Sequence, residues 1–374
     1  MTKLEFDKSY YLNVKMQPLA GTSFINWLRL LAENKFKIDW QFIPKALYVT
    51  FMISLFTPFW IYEKLKFDRI VEKERLPQII FIIGHFRSGT TFLHYLMGQD
   101  KNLAYVSTMQ TTAPWVFLTG EKFFKKIVEE HLPEKRPMDD LEMKADLPYE
   151  DEYALANFTP YSFYHGWYFP HRIHYYLRRY VLFENVDEKV KEEWKETYAY
   201  LLKKISYRYG GKPILLKSLV NTGRIKLLLE AFPEAKFIHI YRDPYKVYLS
   251  TWRLYESIIP IFSFQHVERE FIDRLIIDFY KSIYEKYFEE KRLIPKENLV
   301  EIRYEDFVKN PLKSLREIYD KLDLSWFEDA RPGFERYLAR YKNYKPHTYK
   351  IDDELKKKID KEWGFVFKKL EYKF

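Results

Sequence analysis

The chain of 374 residues contains no cysteine and only 11 glycines. Without cysteine, a disulfide framework, a thiolate metal site and a cysteine nucleophile are all excluded. Because glycine is scarce, a pair of glycines at a defined spacing is informative. No internal repeat, low-complexity tract or Gly/Ser linker is visible. The first residues show no basic region leading into an apolar one, so we expect no cleaved signal peptide.

Positive charge and aromatic rings are what the chain has in excess. It carries 62 Lys and Arg against 53 Asp and Glu, a formal charge of +9, and it contains 32 Tyr, 31 Phe and 9 Trp. The charge suits an anionic nucleotide, an anionic membrane surface or nucleic acid, without choosing among them. Most of the rings must lie in the core, while some could line an apolar ligand pocket.

One apolar run raises the question of a membrane. Residues 46–62 are uncharged and close to the lower length limit of a spanning helix, but Pro58 interrupts them and Lys45 and Glu63 flank them. Three interpretations stay open: a membrane span, a buried helix pair, and a helix that lies on a membrane near a lipid-like substrate. The third predicts contact with a membrane surface through residues 42–62.

Four short apolar runs predict the strands of a mainly parallel sheet. Each run stops at a polar or glycine residue and is followed by a stretch with helical spacing, which is typical of an α/β fold. We expect this α/β domain to cover residues 76–374, with helical insertions, and residues 1–75 to form a mostly helical segment packed on or near it. Functional side chains belong at the carboxyl ends of the strands. The predicted strands are residues 78–83, 212–216, 236–241 and 298–303.

The first strand ends in a loop whose two glycines have the spacing of a Walker A loop. Backbone amides of such a loop, and the positive end of the next helix, hold phosphate oxygens. Thr90 stands where a Walker A loop has its lysine, the cation has moved to Arg87, and no strand ends in a convincing Mg²⁺-binding Asp. An ordinary kinase or NTPase needs both the lysine of the loop and the Mg²⁺-binding Asp. The loop reads Gly84-His85-Phe86-Arg87-Ser88-Gly89-Thr90-Thr91.

A second candidate anion site follows the third predicted strand. Arg242 lies at the end of that strand, and Ser250 lies about two turns into the next helix, which begins near Pro244. An arginine and a hydroxyl in these places can hold one more phosphate group. The alternative is a surface ion pair between Arg242 and Asp243.

Taken together, the two motifs resemble those of PAPS-dependent sulfotransferases, from about Pro77 to Leu324. The loop resembles the family's 5′-phosphosulfate site, and its GHxRSGTT form is similar to that of bacterial members. The stretch from Arg242 to Ser250 resembles the 3′-phosphate site. Further segments that resemble the family are Leu215-Leu216-Lys217-Ser218, Phe232-Pro233-Glu234-Ala235-Lys236 and Arg303-Tyr304-Glu305-Asp306-Phe307 with Asn310-Pro311-Leu312.

The resemblance implies an enzyme that moves the sulfuryl group of 3′-phosphoadenosine 5′-phosphosulfate (PAPS) to a hydroxyl by in-line transfer. Adenosine 3′,5′-bisphosphate (PAP) is then the product, and no metal is expected. Some bacterial members act on lipophilic alcohols, so a sterol, a phenol, a lipid head group and a glycan-linked alcohol are all open as the acceptor. We expect a small or lipid-like alcohol as partner, no nucleic acid, and a cytoplasmic protein for which membrane association stays open.

The resemblance also implies roles for individual residues. Lys217 matches a lysine near the transferred group, where a cation stabilises the charge that develops. Phe92 stands where relatives stack an aromatic ring on adenine. Arg242 and Ser250 would hold the 3′-phosphate. The 5′-phosphosulfate would lie on Arg87, Ser88, Gly89, Thr90 and Thr91, with Gly84, His85 and Phe86 completing the loop.

The catalytic base is the least defined part of the site. The positions after Lys217 that carry histidine in relatives hold Leu219 and Asn221, and neither can remove a proton. Other branches use a glutamate, and repulsion within an acidic run would raise at least one carboxyl pKa towards the working range. The alternative for that run is charge complementarity at a helix start. The candidates are Glu150, Asp151 and Glu152, with His165 and His94 as weaker ones.

Three rival functions are defined by what they require. A kinase or NTPase predicts Mg²⁺-dependent ATP turnover. A non-catalytic binder of nucleotide or nucleic acid predicts strongly salt-dependent binding to a basic and aromatic surface. A membrane-bound scaffold leaves both phosphate motifs unexplained. A last segment, residues 344–350, is predicted to close over the nucleotide with Lys345 and Lys350, or to be a solvated loop.

Overall fold

A computed structural model describes residues 11, 14, 17–136, 138, 141–340 and 351–373. Residues 341–350 lie outside the described residues, and the prediction for Lys345 and Lys350 lies there with them. The chain divides into two compact units. The first comprises Met1–Leu76, Val106–Gly211 and Arg253–Asp273, and the second comprises Pro77–Tyr105, Lys212–Trp252 and Arg274–Phe374.

Most of the described chain is helical. In chain order the helices are α1 (Phe24–Glu33), α2 (Ile43–Lys73), α3 (Thr90–Met97), α4 (Thr108–Thr112), α5 (Glu121–His131), α6 (Asp151–Phe158), α7 (His165–Tyr168), α8 (Ile173–Tyr180), α9 (Glu188–Tyr209), α10 (Ile225–Ala231), α11 (Pro244–Phe262), α12 (Arg269–Glu290), α13 (Tyr304–Lys309), α14 (Pro311–Lys321), α15 (Phe327–Arg340) and α16 (Asp353–Lys369). Their ends follow local chemistry. Gly210 takes the left-handed conformation that ends α9, and the Asn310 side chain caps α14 just before Pro311.

The second unit is built on a parallel sheet with the strand order β2-β3-β1-β4-β5. The buried strands β1, β3 and β4 are almost continuously apolar, as expected for a parallel sheet. The predicted α/β fold with a P-loop-type parallel sheet is confirmed. One edge strand escaped prediction because two residues are too short for a pattern. The strands are β1 (Ile79–Gly84), β2 (Ala104–Tyr105), β3 (Ile214–Lys217), β4 (Lys236–Tyr241) and β5 (Leu299–Arg303).

The sheet register brings the predicted site segments of this unit to one edge. Ile82 of β1 pairs with Lys217 of β3, and Gly84 pairs with Ile240 of β4. The loop after β1, the end of β3 and the start of α11 therefore emerge together. Because parallel strands end at the same edge, this is where an α/β protein binds its ligand.

The first unit contains α2, which carries the apolar run. The helix continues through Pro58 without a break, so the interpretation as a helix pair is wrong. Both flanking charges are buried in the unit: the Lys45 ammonium donates to the Ile261 carbonyl at 2.8 Å, and Glu63 pairs with Lys204 at 2.8 Å. By length and composition alone, the stretch Trp40–Lys73 could cross a membrane. Its buried charges instead hold α2 against the rest of the unit.

Candidate active site

The loop between β1 and α3 is closed by contacts that tolerate only glycine at its first position. Gly84 has φ +150°, and a Cβ there would lie 2.3 Å from the Ile240 carbonyl oxygen. The Thr222 hydroxyl accepts from the Gly84 amide at 2.8 Å and donates to its carbonyl at 2.7 Å. The backbone is therefore held at the point where the loop leaves the sheet.

The second loop glycine is fixed by a residue from the far end of the sheet. Gly89 has φ +92°, and a Cβ there would lie 2.3 Å from the ring of Tyr304, the first residue of α13. The Arg242 guanidinium carbon also lies over the Tyr304 ring, 4.5 Å from the ring centroid. One aromatic ring thus positions both the loop and the arginine of the second predicted anion site.

Two arginines and a serine meet beside the loop. The Arg87 Nε donates to the Ser250 hydroxyl at 2.8 Å, and an Arg242 terminal nitrogen donates to the Arg87 carbonyl at 3.1 Å. Arg87 has φ +69°, a left-handed conformation that turns its carbonyl towards Arg242. The structure therefore brings the two predicted anion sites together at one edge of the sheet.

Several buried polar atoms at this edge lack a hydrogen-bond partner among the described residues. They are the Ser88 hydroxyl, the Ser218 hydroxyl just after β3, and the Arg242 Nε. No carboxylate in the described part of the chain lies within ion-pair distance of Arg242, which is only 9% exposed. Buried cations and hydroxyls are normally paired. Their arrangement fits an anionic ligand.

Lys217 ends β3 inside the same cluster. Its ammonium lies 3.4 Å from the Thr91 hydroxyl, and the lysine is 1% exposed. Burial and the nearby Lys217 charge hold the pKa of His94 well below its usual value. His94 is therefore neutral and buried. The cation at Lys217 adds to the positive potential around the loop.

His85 and Phe92, two rings of the predicted nucleotide site, differ in burial. The buried His85 ring packs edge-on against Phe279 and Tyr280, and burial lowers its pKa to about 3. Phe92, on the first turn of α3, is partly exposed and lies 5.6 Å from the Phe307 ring. Phe92 is therefore the more exposed of the two rings, while His85 packs against α12.

The acidic run lies in the first unit, at the start of α6. Glu150 occupies the N-cap position and accepts a hydrogen bond from the Tyr164 hydroxyl. Burial and the Glu150 charge raise the pKa of Tyr164 well above its usual value, so Tyr164 donates as a neutral phenol. Asp151 accepts from Tyr198 at 2.5 Å, and Glu152 accepts from the Ser162 hydroxyl at 2.7 Å. Asp151 and Glu152 are fully buried, and Glu150 is 9% exposed.

His165 is enclosed by backbone carbonyls in the same unit. Its Nδ1 lies 3.0 Å from the Pro160 carbonyl and its Nε2 lies 2.9 Å from the Ala156 carbonyl. Burial lowers the pKa of the His165 ring. Both ring nitrogens face main-chain carbonyls, and the neutral ring donates to one of them, which is the geometry of a packing residue.

Three residues of the anion site were not singled out from the sequence. They are Tyr304, which packs on Gly89 and Arg242, Thr222, which holds Gly84, and Ser218, whose hydroxyl is buried without a partner. Ser218 and Tyr304 stand directly after β3 and β5, in segments that resemble the family, and this was the available signal for them. Thr222 gave no signal, because its contact with Gly84 joins segments far apart in the chain.

The edge of the second unit therefore has a P-loop-type arrangement in which arginines, and not a Walker A lysine, stand beside the loop. A profile of the sulfotransferase family matches residues 77–329. The chain belongs to the sulfotransferase family, as its two motifs predicted.

Relatives of known function agree with this assignment. The chain is 33% identical to the omega-hydroxy-beta-dihydromenaquinone-9 sulfotransferase Stf3 of Mycobacterium bovis over 357 residues, which is 94% of this chain and 90% of the relative. The match to Stf3 of Mycobacterium tuberculosis has the same identity and coverage. Both relatives are matched over most of their length.

Solved structures share the fold. The sulfotransferase STF9 from Mycobacterium avium superposes with a TM-score of 0.66 at 16% identity, covering 95% of this chain and 98% of that one. The sulfotransferase STF1 from Mycobacterium tuberculosis H37Rv gives a TM-score of 0.58 at 15% identity, covering 90% and 89%. At these identities the similarity concerns the fold.

Proposed function

We propose that this sulfotransferase uses PAPS as its donor and transfers the sulfuryl group to the hydroxyl of a lipid-like alcohol, releasing PAP. The observation that carries the proposal is the pair of arginines beside the loop, with buried hydroxyls that have no partner in the described residues. PAPS has an anionic group at each end of its ribose, and two adjacent anion sites match that chemistry.

The donor would be held by the segments that the sheet edge brings together. Arg242 and Ser250 would bind the 3′-phosphate, and Phe92 would stack on adenine. The 5′-phosphosulfate would lie on the loop and on the positive end of α3. The loop residues in that role are Gly84, His85, Phe86, Arg87, Ser88, Gly89, Thr90 and Thr91. We propose no role for a metal.

The transfer itself is a single displacement at sulfur. The acceptor oxygen loses its proton to a base and forms a bond to sulfur as the bond from sulfur to the 5′-phosphate oxygen breaks. Negative charge builds on that leaving oxygen, which departs with PAP. Arg87, Lys217 and the loop amides would stabilise this charge.

We propose Glu150 as the base among the predicted candidates. Asp151, Glu152 and His165 are fully buried, and the hydrogen bonds they make serve packing and helix ends. Glu150 is the least buried of these candidates. Its hydrogen bond from Tyr164 joins two side chains, so this bond can break without a change in the backbone. A carboxylate in this role accepts the acceptor proton directly.

A lipid-like acceptor is supported by the relatives and by α2. Stf3 is named as a sulfotransferase of omega-hydroxy-beta-dihydromenaquinone-9, and its similarity to this chain extends over 94% of the chain. The outer face of α2 exposes a line of apolar side chains: Leu47 at 65%, Phe51 at 64% and Leu55 at 50%. Exposed apolar residues in such a line mark an interaction surface.

We propose that this outer face rests on a membrane, through residues 42–62. Trp40 and Tyr62, which are both exposed, suit the headgroup level. Between residues 24 and 73 the exposed charges are mostly basic, with Glu72 as the acidic exception, which suits anionic lipid. The exposed basic residues are Arg29, Lys35, Lys37, Lys64, Lys66, Arg69 and Lys73. Surface contact agrees with the burial of Lys45 and Glu63 better than a span does. We propose a cytoplasmic protein that works at this surface.

Transfer of label from radiolabelled PAPS tests the proposal. The acceptors are long-chain primary alcohols in phosphatidylcholine vesicles, and the products are separated by chromatography. We expect labelled alkyl sulfate, with no labelled product when γ-labelled ATP and Mg²⁺ replace PAPS. Phosphorylated alcohol from ATP, with no transfer from PAPS, would contradict the proposal and favour a kinase.

A further inference from the structure

The first unit contains a cavity that the anion site does not explain. Its wall is mostly apolar and is formed by the turn Pro18–Gly21, α2, α4 and α5. Including the part open to solvent, the cavity encloses about 1230 Å³. Ligand pockets are concave and mostly apolar with a few polar groups, and the wall of this cavity fits that description. On α2 the residues facing it are Tyr48, Met52, Phe56 and Trp60.

The composition of the wall decides what kind of molecule the cavity suits. The apolar wall does not suit the phosphates of a nucleotide, which would lose their hydration there without compensation. An apolar ligand would instead be removed from water as it packs against the lining side chains.

The helix that forms one wall also carries the exposed apolar face. Tyr48, Met52 and Phe56 face the cavity, while Leu47, Phe51 and Leu55 of the same turns are exposed. The same helix therefore presents apolar side chains to the cavity on one side and to the proposed lipid surface on the other. This continuity selects a lipid chain over a small polar molecule as the occupant.

Two tyrosines of the cavity wall lie next to the proposed base. Tyr149 and Tyr153 line the cavity with their rings stacked at 5.2 Å, and Tyr153 packs edge-on against Tyr164 at 4.5 Å. Tyr164 in turn donates to Glu150. The wall is mostly apolar and carries hydroxyl groups, among them these two phenols, so it matches a molecule with a long apolar chain and a hydroxyl head.

We propose that this cavity binds the apolar chain of a lipid alcohol, with the hydroxyl directed to the tyrosines beside Glu150. The identification of the bound alcohol as the acceptor rests on the proposed function. The presence of a chain-binding site does not, because it is argued from the first unit alone.

Displacement of a fluorescent probe tests the site without the donor. The probe is N-phenyl-1-naphthylamine, and the competitors are primary alcohols from hexanol to hexadecanol. Each added methylene should lower the dissociation constant roughly fourfold until the cavity is full. Two variants that fill the cavity, Met52→Trp and Ala113→Phe, should weaken hexadecanol roughly tenfold or more. Leu47→Trp, on the exposed side of the same helix, is the matched control and should bind as the wild type does.

Two results would overturn the inference. One is an affinity that does not depend on chain length, and the other is an equal loss in Leu47→Trp and in both cavity variants. PAP binding, measured on the same variants, reports whether the second unit is intact. A wild-type protein that binds long alcohols but not PAP would contradict the proposed function and leave this site standing.

Discussion

At the scale of single residues, the fit of the loop depends on the absence of a side chain at Gly89. A methyl group there would meet the Tyr304 ring, and φ +92° is a conformation that residues with a Cβ rarely adopt. The loop is therefore in contact with Tyr304, the residue that follows β5, although the two segments are distant in sequence. The glycine spacing was visible in the sequence, but the ring that requires it was not.

Gly89→Ala should lower the free energy of unfolding by at least about 2 kcal/mol, since backbone strain and overpacking each cost roughly 1–3 kcal/mol. Urea unfolding followed by circular dichroism measures it. Gly210→Ala is the matched control, because Gly210 is also left-handed but a Cβ there meets nothing within 4 Å. That control should cost only about 1–2 kcal/mol. Equal costs at the two positions would show that Tyr304 does not constrain the loop.

Neighbouring carboxylates at the start of α6 should respond differently to the same change. Glu150→Gln should lower kcat by roughly 10²–10⁴-fold, the usual contribution of a general base, with little effect on PAP binding. Glu152→Gln should mainly lower the melting temperature, because Glu152 is fully buried and accepts from Ser162 and the Phe163 amide. The measurements are steady-state kinetics and thermal unfolding. A full kcat in Glu150→Gln would remove Glu150 from the role of base.

At the scale of elements, the sheet was the most predictable part of the fold. Buried parallel strands are continuous apolar runs, so four of them could be located to within one or two residues. The two-residue β2 gave no pattern, and Pro58 suggested a break that α2 does not have. Periodicity reports which residues are apolar. It cannot report that one helix has a cavity on one side and solvent on the other.

The outer face of α2 should bind anionic membranes. Phe51→Glu should weaken the binding of the protein to vesicles by roughly 10–100-fold, because burial of a phenylalanine contributes about 1.5–3 kcal/mol. Flotation with phosphatidylcholine vesicles, with and without phosphatidylglycerol, measures this binding. The control is Leu293→Glu, an exposed leucine that is 49% accessible in the second unit. Binding that is equal in both variants, or independent of phosphatidylglycerol, would contradict the proposed surface.

At the scale of the whole molecule, buried histidines make the fold sensitive to acid. Burial holds the pKa of His85 at about 3 and also lowers the pKa of His94, His165 and His239. The unfolded chain therefore binds more protons than the folded chain below the usual histidine value of about 6.5. The contribution of these buried histidines to the stability of the fold is therefore fully present above about pH 6.5 and is lost as the pH decreases towards 3.

For His85 alone, the loss between pH 7.5 and pH 5.5 should be about 1.4 kcal/mol. His85→Phe removes the titrating group and keeps a ring against Phe279 and Tyr280. The variant should therefore lose less stability than the wild type over this pH range, by about that amount. The measurement is urea unfolding at both pH values. An unchanged pH dependence in the variant would show that His85 does not contribute to it.

At this scale the sequence predicted the family and the segments that meet at the sheet edge, but it gave no sign of the cavity. The residues of the loop are contiguous in the chain, and Arg242 and Ser250 are separated by one short helical stretch. Both patterns can therefore be recognised in the sequence. The cavity is formed by segments from Val14 to Phe262 that share no motif. A binding site assembled by packing leaves no spacing to recognise.

The most direct test of the central claim is calorimetric binding of PAP to the wild type and to Arg242→Ala, with ATP and Mg²⁺ as the comparison. We predict PAP binding that weakens roughly 10–100-fold in Arg242→Ala, because a hydrogen bond to a charged group contributes about 1.5–3 kcal/mol. Arg316→Ala, an exposed arginine on α14, is the control and should bind PAP as the wild type does. Failure to bind PAP, or tighter binding of ATP with Mg²⁺, would contradict the account.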